Sequence, residues 1–240
     1  VSCAASAGPA FEGSGVACGM RATAGAIQRV EIGLFRIKLT TIGKQKPRGI
    51  CGSGYIDCLA ELLRKGIIDR KGKFVEGASS RIRKHQEDKE FVLVYKKQAD
   101  VDHDIVITED DIENLKRSKG AIYAASSILL KKLDLGFDQI EQFYIAGGFG
   151  TYLDIDKAIS IGLLPDLNRE KFAFIGNSSL VGAREILLSY EAKKEAEETA
   201  KKMTYVELSS DSSYMDEYVA ALFFPHTDIK RFPSVKLRKQ

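Results

Sequence analysis

The chain has 240 residues, a net charge of +3, 44% hydrophobic residues and 29% charged residues, the values of an ordinary globular protein of one to two domains. So small a charge argues against nucleic acid as a partner, and no apolar run approaches the ~20 residues needed to cross a bilayer. A chain of this length can fold without disulfides or a structural metal. It opens Val1-Ser2-Cys3-Ala4-Ala5, with neither an initiator Met nor a signal peptide, and reads as a fragment of a longer protein of the cytoplasm.

In chain order, Ser6-Ala7-Gly8-Pro9-Ala10-Phe11-Glu12-Gly13 reads as a turn or a phosphate-side loop. Alternation over Ile27–Ile32 and Leu34–Leu39 predicts two strands joined across Gly33. Gly49-Ile50-Cys51-Gly52-Ser53-Gly54 leads into a helix whose apolar face is Ile56, Leu59, Ala60, Leu63 and Ile67, with Ser53 as N-cap and Gly66 as stop. Two readings stay open there: an anion site at a helix N-terminus, or a helix packed closely on a sheet. Residues 69–104 are charge-mixed and predict a surface insertion with one strand, Phe91–Tyr95, and a solvated Asp102-His103-Asp104.

Thr108 and Asp111 form a capping-box pair opening a long, mostly buried helix to about Leu133. A short buried strand, Gln142–Ala146, then feeds Gly147-Gly148-Phe149-Gly150. Asp154 caps a short helix to Ile161, and Lys171–Ile175 is a strand. Gly176-Asn177-Ser178-Ser179 opens a helix to Ser189, and Glu191–Lys202 is a solvent-facing helix with i,i+4 pairs Glu197–Lys201 and Glu198–Lys202. Tyr205–Leu208 reads as an edge strand, Tyr214–Phe224 as an amphipathic helix, and residues 226–240 as a flexible basic tail. The alternation of strand and helix in the second half predicts an α/β layer structure.

The glycine turn after Tyr144-Ile145-Ala146 lets backbone approach a phosphate or sugar where a Cβ would block it. It is neither a Walker A loop nor a GxGxxG fingerprint; tight packing explains such turns equally well. No nucleophile–base pair stands out, since none of the three histidines lies in a glycine motif. Glu12 is the candidate catalytic carboxylate, placed to position water or Mg²⁺. Cys3, Cys18, Cys51 and Cys58 form no CxxC pair and read either as buried thiols or as ligands of an iron–sulfur cluster.

Several motifs in order carry a resemblance. The segments from Cys3 to Gly13, from Cys18 to Ile27, from Gly49 to Asp57, from Ile145 to Gly150 and from Gly176 to Ala183 resemble reductive activators of corrinoid enzymes. The resemblance implies an α/β fold of the actin-like, acetate kinase-like ATPase type. Residues 1–225 would be the C-terminal part of that domain, mainly its βββαβα second half, with an insertion at about 69–104. It implies ATP with Mg²⁺, a [2Fe–2S] cluster on an N-terminal domain absent from this chain, a corrinoid-carrying methyl-transfer protein as partner, and a homodimer. Gly147, Gly148, Phe149 and Gly150 match the adenosine-side motif. Gly8, Gly13, Gly52, Ser53 and Gly54 would lie toward the phosphates or line the cleft.

The acidic phosphate-binding hairpins of that family are missing from this chain, so the fragment alone should not hydrolyse ATP efficiently. A related group of dehydratase activators carries a segment similar to Cys3-Ala4-Ala5-Ser6-Ala7-Gly8, and on that analogy Cys3 would be a cluster ligand shared across a dimer. Competing classes are an actin-like small-molecule kinase and an interaction module that no longer binds nucleotide.

Overall fold

The computed structural model describes residues 1–33, 36–85, 88–147 and 153–237. Backbone pairing starts from β1 (Ala26–Ile32), whose Ile27, Val30 and Ile32 are buried. β1 pairs antiparallel with β2 (Ile37–Thr41), matching Val30 with Leu39 and Ile32 with Ile37, and parallel with β3 (Gly49–Ile50) only at Ala26 and Ile27. The predicted hairpin is therefore present; Leu34 and Phe35 lie outside the described residues.

Helix α1 (Gly52–Lys65) lies on this sheet with Tyr55, Ile56, Leu59 and Leu62 fully buried. A Cβ on Gly54 would stand 2.1 Å from the Ile27 carbonyl oxygen, so only glycine allows the helix this close to the strand. The N-cap is Cys51 rather than Ser53. Ser53 sits inside the first turn, buried, 3.4 Å from the Cys51 thiol, which itself donates to the Ile27 carbonyl. Gly66 ends the helix in the left-handed conformation, as the sequence predicts.

Past Ile27, the β3 side of β1 has no strand partner among the described residues, and its buried peptide groups must be satisfied otherwise. Side chains do this. The Val30 N–H donates to Asp57 Oδ2 at 3.1 Å and the Ile32 N–H to Glu61 Oε2 at 2.8 Å. The Val30 carbonyl accepts from Lys157 Nζ at 2.8 Å and the Ile32 carbonyl from Arg64 at 3.3 Å.

Residues 69–104 hold the predicted strand at Phe91–Tyr95, as part of Asp88–Val94, and one more, Ile82–His85. β4 (Ile82–His85), β5 (Asp88–Val94) and β6 (Ile105–Thr108) form a second antiparallel sheet, and Phe91–Val94 with Ile105–Ile107 join the main core. β4 escapes sequence reading because Ile-Arg-Lys-His has no apolar alternation and is exposed. Asp102 and His103 do lie at the surface. The capping box of α2 (Glu109–Lys131) is formed: the Asp111 N–H donates to Thr108 Oγ1, and the Thr108 N–H to Asp111 Oδ2, both at 3.0 Å. The other Asp111 oxygen accepts from the Ala17 N–H at 2.7 Å and ties the glycine-rich first segment to this helix.

Next come β7 (Phe143–Ala146), α3 (Ile155–Ser160), β8 (Phe172–Gly176), α4 (Ser178–Leu188), α5 (Tyr190–Lys202) and α6 (Tyr214–Ala221). β7 and β8 pair in parallel as a two-stranded sheet. Phe143 and Phe172, with ring centroids 5.3 Å apart, pack toward the core, but Tyr144 on the opposite face is 63% exposed. β7 is thus half-covered rather than buried. No residue of α4 is buried, and Leu187 and Leu188 are 85% and 70% exposed. On α5 the structure brings Lys193 and Glu197 to 4.0 Å, one turn before the predicted pairs. In place of an edge strand at Tyr205–Leu208 there is a single bridge, Tyr205 against Ser2.

The segment after Pro225 is packed, not flexible, as far as Leu237; Arg238–Gln240 lie outside the described residues. Five successive carbonyls are held by two cations. Lys119, entirely buried on α2, donates to those of Phe223 and Pro225, and Arg70 donates to those of Phe224, His226 and Thr227. Burial pushes the Lys119 ammonium well below its usual pKa. Phe232 then closes over Tyr123, ring centroids 5.5 Å apart. Glu217 of α6 receives Arg231 at 2.5 Å and faces His226 Nε2 at 3.6 Å. Burial alone would raise its carboxyl, but these neighbours outweigh it and push it down to about 2.

Two outcomes follow from these contacts. Lys119→Met leaves two buried carbonyls without donors, and the urea midpoint should fall by the equivalent of ~2–3 kcal/mol at unchanged slope; parental stability would contradict this. Glu217 is depressed in the folded state, so its contribution is complete above the ordinary value of 4.5 and is lost as pH falls toward about 2. The stability gap between the parent and Glu217→Gln, on the order of 2 kcal/mol at neutral pH, should close over that window. A gap constant with pH would refute the assignment.

Candidate functional site

The carboxyl ends of β7 and β8 both finish in a glycine with left-handed backbone, Gly147 at φ 98° and Gly176 at φ 65°. The Gly147 N–H donates to the Gly176 carbonyl at 2.7 Å. Among the described residues, a Cβ on either would meet nothing within 4 Å. Both permit a backbone turn at the strand end. α4 starts directly after Gly176, and Asn177 caps it by accepting from the Leu180 N–H at 3.1 Å. In open α/β sheets the carboxyl end of parallel strands is where ligands bind, and a helix start there offers N–H groups and a positive dipole end to an anion.

Gly148, Phe149 and Gly150 lie outside the described residues. The chain resumes at buried Leu153 and at Asp154, which caps α3 as the sequence predicts, accepting from the Lys157 N–H at 3.2 Å. Asp154 also pairs with Arg29 of β1 at 3.3 Å. From α3, Lys157 reaches Asp57 Oδ2 at 2.8 Å. The Asp57 carboxyl is fully buried, and burial raises its pKa against the opposing pull of Lys157, the Val30 N–H and Arg29.

The remaining candidates are spread over two settings. Gly8 has φ 65° and open space where a Cβ would stand, and Glu12 is exposed at the end of a short turn, Ala10–Glu12, that packs on α1 and α2. Gly13 has φ 87°, and a Cβ there would stand 2.7 Å from the Met20 nitrogen, so it serves a closely packed turn. Gly52, Ser53 and Gly54 are buried in the α1–β1 contact. Of the two readings left open for that motif, the structure gives close packing.

Cys18, Cys51 and Cys58 are buried, and burial raises the Cys18 and Cys58 thiols. The Cys18 sulfur accepts from the Val106 N–H at 3.3 Å. Among the described residues no three metal-ligating side chains come together. Sequence reading missed Gly176 and Asn177 as partners of the glycine turn; the strand-then-Gly-Asn-Ser pattern was the available signal. It also missed the Asp57–Lys157–Arg29 network, which joins residues 100 or more apart or 27 to 28 apart with no local pattern.

The chain has the α/β fold of an ASKHA domain, the class that includes the actin-like ATPases. More narrowly, a family model described as the C-terminal domain of RACo, the ASKHA domain, matches residues 1–236, and the chain belongs to that family. A solved reductive activator for corrinoid, iron–sulfur protein superposes with a TM-score of 0.93 at 53% identity, over 98% of this chain and 38% of that one. The corrinoid activation enzyme RamQ of Eubacterium limosum is 33% identical over 90% of this chain and 38% of its own length. The [Co(II) methylated amine-specific corrinoid protein] reductase of Methanosarcina barkeri is 25% identical over 93% of this chain and 42% of its own. The chain thus spans about two fifths of the length of the curated relatives it matches. No helix among the described residues is long and apolar enough to cross a membrane.

Proposed function

We propose that this chain forms the adenosine side of an ATP cleft in a reductive activator that returns Co(II) corrinoid on a methyl-transfer protein to Co(I). The observation that carries the reading is the pair of positive-φ glycines at the carboxyl ends of β7 and β8, joined by one hydrogen bond. Supporting it are the family of the chain and the names of its relatives, which act on corrinoid proteins. Gly147 and Gly176 would let backbone lie against the sugar and the α-phosphate, with the start of α4 stabilising negative charge. Gly8 and Glu12 are assigned to the phosphate side, Glu12 to hold water or Mg²⁺.

ATP, when bound, supplies the free energy of an otherwise uphill reduction by favouring one of two states of the cleft. A ligand shifts such an equilibrium only by its differential affinity for the two states, so these residues matter through how much better they hold nucleotide in one state. On the family resemblance, we assign the [2Fe–2S] cluster to the portion of the longer activator outside these residues. The exposed Leu187 and Leu188 of α4 are where we place contacts with that portion or with a second subunit. Each such leucine gains roughly 1.5–3 kcal/mol on being covered.

The test is calorimetric titration of the intact protein with Mg-ATP. Gly147→Val forces a β-branched residue toward a backbone region it avoids, so ATP affinity should drop by at least roughly tenfold, about 1.4 kcal/mol. Unchanged affinity would remove Gly147 from the site.

A further inference from the structure

A cavity of about 280 Å³ opens between the β2–β1–β3 and β4–β5–β6 sheets, and none of its lining residues belongs to β7 or β8. Ile67 and Phe91 contribute apolar lining. Three cations line it from three separate elements: Arg36 just ahead of β2, Lys65 at the end of α1 and Arg81 just ahead of β4. Ser79 and Ser80 add two hydroxyls. Among the described residues no carboxylate lines it. Glu31 and Glu61 line the adjoining depression, and both are already paired, with Lys38 at 3.4 Å and Arg64 at 2.6 Å. A cleft lined by one sign of charge concentrates counter-ions. The end of α1 accounts for a lysine at position 65, because cations stabilise helix carboxyl ends. It does not account for Arg81, whose guanidinium is fixed from within its own sheet. Its Nη1 donates to the Val92 and Leu93 carbonyls at 2.9 and 3.3 Å, and its central carbon lies 5.0 Å over the Tyr95 ring. The Arg81 N–H donates to Ser79 Oγ at 3.2 Å, which leaves the Ser79 hydroxyl proton to be donated elsewhere.

We propose that this pocket binds a small oxyanion of the phosphate class, as the free ion or as the phosphoryl end of a larger molecule. A tetrahedral phosphate presents oxygens in several directions and is matched by cations and hydroxyls converging from separate elements. A carboxylate presents two oxygens in one plane, which a single arginine fork satisfies. The volume lies below the roughly 300–1,000 Å³ of pockets that enclose drug-sized ligands, which suits an ion or a phosphoryl group. Because Arg81 is already held in place, little side-chain ordering is left for the ligand to impose there. The inference does not depend on the nucleotide reading above.

Residue-resolved amide shifts of the intact protein, titrated with sodium pyrophosphate at fixed ionic strength, test this. Saturable shifts are expected at Lys65, Ser79, Ser80 and Arg81. Arg36→Gln and Lys65→Gln should each weaken the affinity read at those amides by roughly tenfold. Lys194→Gln, on the exposed helix α5, should leave it unchanged. Arg36 is exposed, so its variant keeps the test available if Lys65→Gln does not fold. Glycerol 1-phosphate separates the two sources: binding as tight as that of inorganic phosphate assigns the pocket to a phosphoryl end, weaker binding assigns it to the free ion, and the proposal stands in either case. Citrate binding as tightly as pyrophosphate, shifts that grow without saturating, or an affinity indifferent to Arg36→Gln and Lys65→Gln would overturn it.

Discussion

A buried strand edge must find partners for its peptide groups, and in this protein that requirement draws the architecture together at Asp57. β1 is paired on both sides only at its start. Farther along, the carboxylates of α1 take its N–H groups, and Lys157 and Arg64 take its carbonyls. The helix can do this because Gly54 lets it lie against the strand backbone. Removing one partner strands a buried polar group, a loss larger than the net gain from making the bond. The position of α1, and through Lys157 that of α3, follows from this satisfaction rule as much as from apolar packing.

The segment from Phe223 to Thr227 obeys the same rule: two cations from distant elements collect its five carbonyls. Gly162 belongs to this arrangement too, because a Cβ there would stand 2.0 Å from the Pro225 oxygen. The C-terminal segment is consequently fastened to α2 and to the core. By contrast, β7, β8 and α4 carry apolar side chains, among them Tyr144, Leu187 and Leu188, that are exposed among the described residues. A parallel sheet ordinarily has both faces covered.

Much of this was legible in the sequence where the signal is local. The Thr108–Asp111 box, the Asp154 cap, the Gly66 stop and the apolar stripe of α1 are written in spacings of three and four residues. The glycine turn was legible as a motif, and the order of several motifs identified the family. What sequence could not give was contact at long range. Ser53 looks like a cap by residue type, yet the strand lies so close that Cys51 takes that position. Residues 69–104 read as a surface insertion by composition, yet their one predicted strand, Phe91–Tyr95, places Phe91–Val94 in the core. A tail with Lys230, Arg231 and Lys236 looks mobile, yet Phe232 locks it against Tyr123. In each case a tertiary partner overrode the local preference.

The central claim is that nucleotide occupies the crevice at the carboxyl ends of β7 and β8. Its most direct measurement is residue-resolved amide chemical-shift mapping of the intact protein on titration with Mg-ATP. Saturable shifts concentrated at Gly147, Gly176, Asn177 and Ser178 are the predicted result. Shifts centred instead on Gly52, Ser53 and Gly54 in the α1–β1 contact, or none at saturating nucleotide, would contradict it.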